Sequence, residues 1–154
     1  MRTGFALIQN IFVVIACIVI LAGSACLVFG FRPVIVMSGS MQPEIQTGSL
    51  CFYDTKADYS EIKEGDIIAC RRIDTRIIHR AVRITDGGII TKGDANKVRD
   101  KGKITETDFL GKVSFWVPGL GKIAAFFKSI SGMIVLGTFV VLMIILSVVL
   151  KKEE

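Results

Sequence analysis

The chain of 154 residues has a single histidine, His79, and its four cysteines form no CxxC pair. That scarcity excludes the ligand spacings of a zinc site, and no metal or cofactor is expected. Also missing is any run of lysine and arginine interleaved with aromatics, so nucleic acid is not an expected partner. Repeats and low-complexity segments are absent too. Most telling is where charge is lacking. Ile11 to Phe29 and Met133 to Leu150 contain no charged residue, and each is about as long as a bilayer core requires, roughly 20 residues. Both read as transmembrane helices.

For the N-terminal segment the competing reading is a cleavable signal peptide, with Ala22, Gly23, Ser24 and Ala25 as the cleavage site. Its apolar stretch exceeds the roughly 7–15 residues of a signal h-region, which favours a retained anchor. Arg2 and the amino terminus precede the first segment, and Lys151 and Lys152 follow the second. The positive-inside tendency then puts both ends in the cytosol and the middle outside it. Arg32 to Lys128 carries 16 of the 19 basic and 12 of the 14 acidic residues, an excess of 16 − 12 = 4 that reads as solvated surface.

Between the apolar segments the dominant period is two. Strands are expected at Pro33–Met37, Ser49–Tyr53, Asp66–Cys70, Arg76–Thr85, Gly88–Lys92 and Phe109–Val117, separated by Gly- and Asp-rich turns. Thr85-Asp86-Gly87-Gly88 is the strongest hairpin signal. The expected fold is mainly β: a small antiparallel domain over 32–121, flanked by transmembrane helices at 5–31 and 132–150. An amphipathic connector at 122–131 completes it. Phe126 and Phe127, with Trp116, either dip into the bilayer interface or simply pack as a connector; the sequence leaves both open. Cys51 and Cys70 fall in strands, and a disulfide between them is an option in an oxidising compartment.

Three features carry chemistry. Ser38-Gly39-Ser40-Met41 interrupts an apolar run and precedes Pro43, a setting for an exposed nucleophile or for an ordinary turn. His79 is the one imidazole base available, unless it is a structural histidine hydrogen-bonded in the sheet. Asp94 and Asp100 bracket a polar loop, and either suits the carboxylate that orients an imidazole; their alternative is turn chemistry.

In this order and setting, the boxes resemble those of type I signal peptidases, membrane serine proteases that remove signal peptides from exported proteins. Ser38-Gly39-Ser40-Met41-Gln42-Pro43 matches the nucleophile box. The resemblance implies Ser40 as nucleophile and Ser38 as an oxyanion donor. Glu64-Gly65-Asp66-Ile67-Ile68 resembles the next strand motif, and Ile77-Ile78-His79-Arg80 matches the branch in which histidine replaces lysine as base. Lys92-Gly93-Asp94-Ala95-Asn96 and Val98-Arg99-Asp100 resemble its aspartate box, implying Asp100 as orienter with Asp94 in support. Gly111-Lys112-Val113, Val117-Pro118 and Gly121 match the closing motif. Arg99 stands where many relatives have a second aspartate, and Ser49 where this branch often has another.

The resemblance implies preprotein signal peptides as substrates, cut after small residues at −1 and −3. It also implies the bilayer as setting, secretion-machinery contacts, and an extracytoplasmic catalytic domain. A plasma membrane is favoured over the endoplasmic reticulum. Two competitors stand: a Ser-Lys protease using Lys56, Lys63 or Lys92, and a non-catalytic β ectodomain acting as an adaptor.

Overall fold

The computed structural model describes residues 2–73 and 75–152. Of the flanking charges used for orientation, the Met1 amino group lies outside the described residues, as do the side chains of Arg2, Lys151 and Lys152. The chain divides into two compact units, a helical one made by Met1–Val28 with Phe126–Glu154, and a β unit at Phe29–Ala125.

The helical unit contains α1 (Arg2–Val28) and α3 (Ile130–Lys152). Leu7–Val28 and Ile130–Val149 have mean hydropathies of 3.0 and 2.8, and both are long and apolar enough to cross a membrane. The 22 residues of the first rise about 33 Å, slightly more than a bilayer's hydrocarbon thickness. Phe12 and Phe139 meet edge to face at 5.2 Å. Ahead of α3 runs the short α2 (Leu120–Lys128). Ser129 separates the two helices: its hydroxyl accepts from the Gly132 N–H at 3.1 Å, the N-cap arrangement that satisfies a free helical donor.

The β unit is one six-stranded antiparallel sheet in the order β1-β2-β6-β3-β4-β5. Its strands are β1 (Phe31–Ile35), β2 (Leu50–Asp54), β3 (Ile67–Arg72), β4 (Thr75–Thr85), β5 (Gly88–Lys92) and β6 (Phe109–Val117). The hairpin expected at Thr85–Gly88 forms, with Thr85 opposite Gly88 and its hydroxyl donating to the Gly88 carbonyl at 2.7 Å. β1 begins two residues earlier than periodicity suggests, because Phe31 and Arg32 already pair with Asp54 and Tyr53. Met37 lies beyond the strand and is 78% exposed.

Two apolar clusters sit on opposite sides of β3. Ile67 and Ala69 join Val36, Met41, Ile45, Cys51, Tyr53, Ile78 and Val113. Ile68 and Cys70 join Ile62, Ala81, Ile89 and Ile104. This double burial explains why β3 reads as an unbroken apolar run rather than an alternating one. Cys51 and Cys70 are therefore in different clusters, and both are free thiols. Burial pushes the Cys51 thiol up to about 11 and the Cys70 thiol to about 12, so both stay protonated. Trp116 packs against the first cluster, on the inner side of β6.

Asp66 ties β3 to its neighbours: Lys112 Nζ approaches its carboxylate at 2.7 Å and the Lys63 N–H donates to it at 3.0 Å. Burial raises its pKa, but the Lys112 and Lys63 contacts outweigh that and hold it below the ordinary carboxylate value. A depressed folded pKa stabilises the fold above the unfolded pKa of about 3.9, and that stability is lost as pH falls through the folded value. Asp66→Asn should therefore lower stability by about 1 kcal/mol at neutral pH, a deficit that disappears once pH falls below the depressed folded pKa, in melts of the full chain in detergent. Ile68→Ala, at a fully buried site, should cost about 2–5 kcal/mol at either pH.

Candidate active site

The nucleophile candidate is held by a loop anchored on both sides. After β1, the chain stays paired through Val36, whose N–H donates to the Ser49 carbonyl at 3.0 Å. It then turns at Ser38–Ser40, where the Gln42 N–H returns to the Gly39 carbonyl at 3.0 Å. Met41 and Ile45 are fully buried and pin the loop to the first cluster. The Gln42–Pro43 peptide is cis.

Loop 93–96 packs directly on Ser40. The Ala95 N–H donates to the Ser40 carbonyl at 2.9 Å. At Gly93, a Cβ would stand 2.6 Å from that carbonyl oxygen and 3.0 Å from Ser40 Cβ. Only glycine permits this approach.

His79 arrives from β4, where it pairs with Ile68 of β3, and it is 8% exposed. Its Nε2 lies 3.2 Å from Ser40 Oγ, and its Nδ1 lies 2.5 Å from Asp100 Oδ2. A carboxylate only accepts, so Nδ1 carries the proton and Nε2 is left to accept from the serine hydroxyl. Asp100 is itself fixed: the Thr91 hydroxyl donates to the same Oδ2 at 2.7 Å, and the Asp100 N–H donates to the Thr91 carbonyl at 2.9 Å. Thr91 is fully buried and has no chemistry of its own. The sequence does not mark its place in the site, since it differs from any strand threonine only by adjoining the polar loop.

Asp94 is engaged elsewhere. Arg80 grips it with two hydrogen bonds, Nε to Oδ1 at 2.9 Å and Nη2 to Oδ2 at 2.7 Å, and donates a third from Nη1 to the Gly65 carbonyl at 2.9 Å. The Asp94 hydrogen bond raises the Arg80 pKa further. Ser38 Oγ lies 3.2 Å from Ser40 Oγ. Ser40, His79, Asp100 and Ser38 thus come together, while Asp94 reaches the group through Arg80 and the loop that holds Ser40. Among the described residues, the hydroxyl partners of Ser40 are His79 and Ser38, and no lysine is hydrogen-bonded to it.

Beside these groups opens a cleft of about 250 Å³. Val34, Ile35, Val36 and Met37 line one wall, and Ile77 and Ile78 line the other. By the alternation of an antiparallel ladder, Ile35 and Met37 turn their N–H and C=O groups away from β2, towards this opening. An extended peptide entering here would meet an unpaired strand edge, apolar walls and the Ser40 hydroxyl. Among the described residues no three histidine, cysteine or carboxylate side chains converge as metal ligands.

No protein-family model matches the chain. Curated sequences do. Signal peptidase I W of Bacillus subtilis is 34% identical over 110 residues, covering 66% of this chain and 58% of the relative. The signal peptidase complex catalytic subunits SEC11 of Colletotrichum graminicola and sec11 of Sclerotinia sclerotiorum are 32% and 35% identical over 101 residues, each covering 57% of this chain and 59% of the relative. Over these 101 to 110 residues the chain is similar to signal peptidases. It spans about three-fifths of the length of the signal peptidases it matches.

The tight contact between loop 93–96 and Ser40 yields a test that needs no substrate. Gly93→Ala must push Ser40 or its own loop aside, and should destabilise the chain by about 1–3 kcal/mol in thermal unfolding. An unchanged melting temperature would mean that the two loops do not meet as described.

Proposed function

We propose that the chain is a membrane-bound serine endopeptidase that removes signal peptides from exported preproteins. Its peptidase domain would be the β unit, on the extracytoplasmic face of a plasma membrane. The observation that carries this reading is the hydrogen-bonded series Ser40–His79–Asp100 at the edge of an apolar cleft. The signal-peptidase relatives add the substrate class. Because some of them are named as catalytic subunits of a complex, contacts with other secretion components belong to the same proposal.

In this mechanism the substrate lies extended in the cleft with its scissile carbonyl over Ser40. His79 Nε2 takes the hydroxyl proton as Ser40 attacks, and Asp100 stabilises the resulting imidazolium without taking its proton. Ser38 Oγ and nearby backbone N–H groups receive the developing oxyanion, an effect worth about 2.7–4 kcal/mol per donor. The imidazolium then protonates the departing amine of the mature protein, and water releases the acyl group by the same steps. The cleft is walled by branched side chains, which suits small residues at −1 and −3. Asp94 acts as a positioning residue, holding Arg80 and the 93–96 loop against Ser40.

Cleavage of a preprotein by the purified full chain in liposomes tests the proposal. Ser40→Ala and His79→Ala should each lower kcat by roughly 1,000-fold or more, with Asp100→Asn close behind and Asp94→Asn much milder. Wild-type cleavage by His79→Ala would transfer the base to a lysine. A folded wild type that cuts nothing would favour the non-catalytic adaptor.

A further inference from the structure

Among the described residues that line the cleft beside Ser40, Arg76 alone carries a charge independent of pH. It lies three residues before His79 on β4. At about 3.3 Å per residue, that sets it about 10 Å along the strand from the imidazole. β5 pairs with β4 from Arg80 onward, so the stretch from Arg76 to His79 keeps its edge for the cleft. Arg76 projects on the same face of β4 as Ile78, another residue of the cleft lining.

The partner of Arg76 across the ladder is a second arginine, Arg71 of β3. The Arg71 N–H donates to the Asp108 carbonyl at 2.7 Å, on the side away from β4. Arg71 and Arg76 are therefore a pair without mutual backbone hydrogen bonds, the kind whose side chains stand closer, with Cα atoms about 4.5 Å apart. Both are exposed and share one face. Like charges directly opposite each other weaken a sheet, and an anion between the two guanidiniums offsets that repulsion. The same geometry turns the N–H and C=O of Arg76 away from β3, towards the cleft. Arg72, on the other face, is committed within the fold, donating to the Lys101 carbonyl.

We infer that Arg76, reinforced by Arg71, selects substrates that carry an aspartate or glutamate about three residues from the scissile bond. The inference rests on the peptidase reading and deepens it. An extended peptide rises at the same rate as the strand beside it, so the residue opposite Arg76 is about three from the carbonyl over Ser40. There the planar guanidinium takes a carboxylate through two parallel hydrogen bonds. A lysine at the same place would meet two like charges. Because Arg76 is exposed, solvent and salt screen the effect to about threefold in either direction, or about tenfold between glutamate and lysine.

The test uses the full chain in phosphatidylcholine vesicles and matched preproteins carrying glutamine, glutamate or lysine at one position. That position is moved from two to five residues from the scissile bond, on each side in turn. At one of these positions the wild type should cut the glutamate form about tenfold faster than the lysine form in kcat/KM. The ratio should shrink towards one in about 1 M salt, where the screening length is only about 3 Å. Arg76→Gln should reduce the ratio to about threefold or less, and Arg76→Glu should invert it. The ratio is taken within each variant, so a general loss of activity cancels, and Arg76→Gln carries the test should Arg76→Glu misfold. Equal cutting of the three forms at every position, or a ratio that survives both substitutions, would overturn the inference while leaving the peptidase reading intact. A wild type that cuts none of them, the glutamine form included, would overturn both.

Discussion

The burial of β3 on both sides is the constraint from which the rest of the β unit follows. Ile67 and Ala69 face one cluster while Ile68 and Cys70 face the other. A one-residue slip of register against β4 or β6 would move all four of these buried side chains to the opposite face. The same register sets Ile68 opposite His79. A residue that occurs once in the chain is placed by the packing of four side chains that contain no polar atom beyond a thiol.

The serine side of the site is organised differently. Ser38 and Ser40 lie on a loop, and a loop needs anchors if its hydroxyls are to keep a fixed distance from an imidazole in a strand. Met41 and Ile45 supply apolar anchors on one side. On the other, the Ala95 N–H and the missing side chain of Gly93 bring a second loop onto the Ser40 backbone. That second loop is held by the doubly hydrogen-bonded Arg80–Asp94 pair. The neighbouring residues His79 and Arg80 therefore project to opposite faces of β4, one to the hydroxyl and one to the loop behind it.

The apolar content of the chain divides among three tasks. The two long helices have the length and composition for lipid. Two clusters form the interior of the sheet. A third set, centred on Phe31, Phe52 and Phe115, is left on the outer surface. Ser49 marks the limit of polar accommodation inside. Fully buried, it has no hydrogen-bond partner for its hydroxyl among the described residues, at the position where a resembling branch often carries aspartate.

Local pattern alone determined a good deal. Long uncharged runs identify the two apolar helices, and period-two runs, with one short unbroken apolar run at β3, identify the six strands between Gly- and Asp-rich turns. These signals are legible because they arise from contiguous residues and from one dominant force, the burial of apolar side chains. Tertiary structure decided whatever depends on two distant segments meeting. The spacing of Asp94 and Asp100 left open which one stands beside His79, because both lie in one polar loop and differ only in what β4 presents to them. Thr91 gives no sign in the sequence of its hydrogen bond to Asp100. Cys51 and Cys70 were compatible with a disulfide until β3 put them in separate clusters. Trp116 resembles an interfacial residue by composition, yet the bulge between β2 and β6 is followed by a register that turns it inward and leaves Phe115 outside. In each case the deciding quantity is the side of a strand on which a residue falls, and pairing sets that through contacts between segments far apart in the chain.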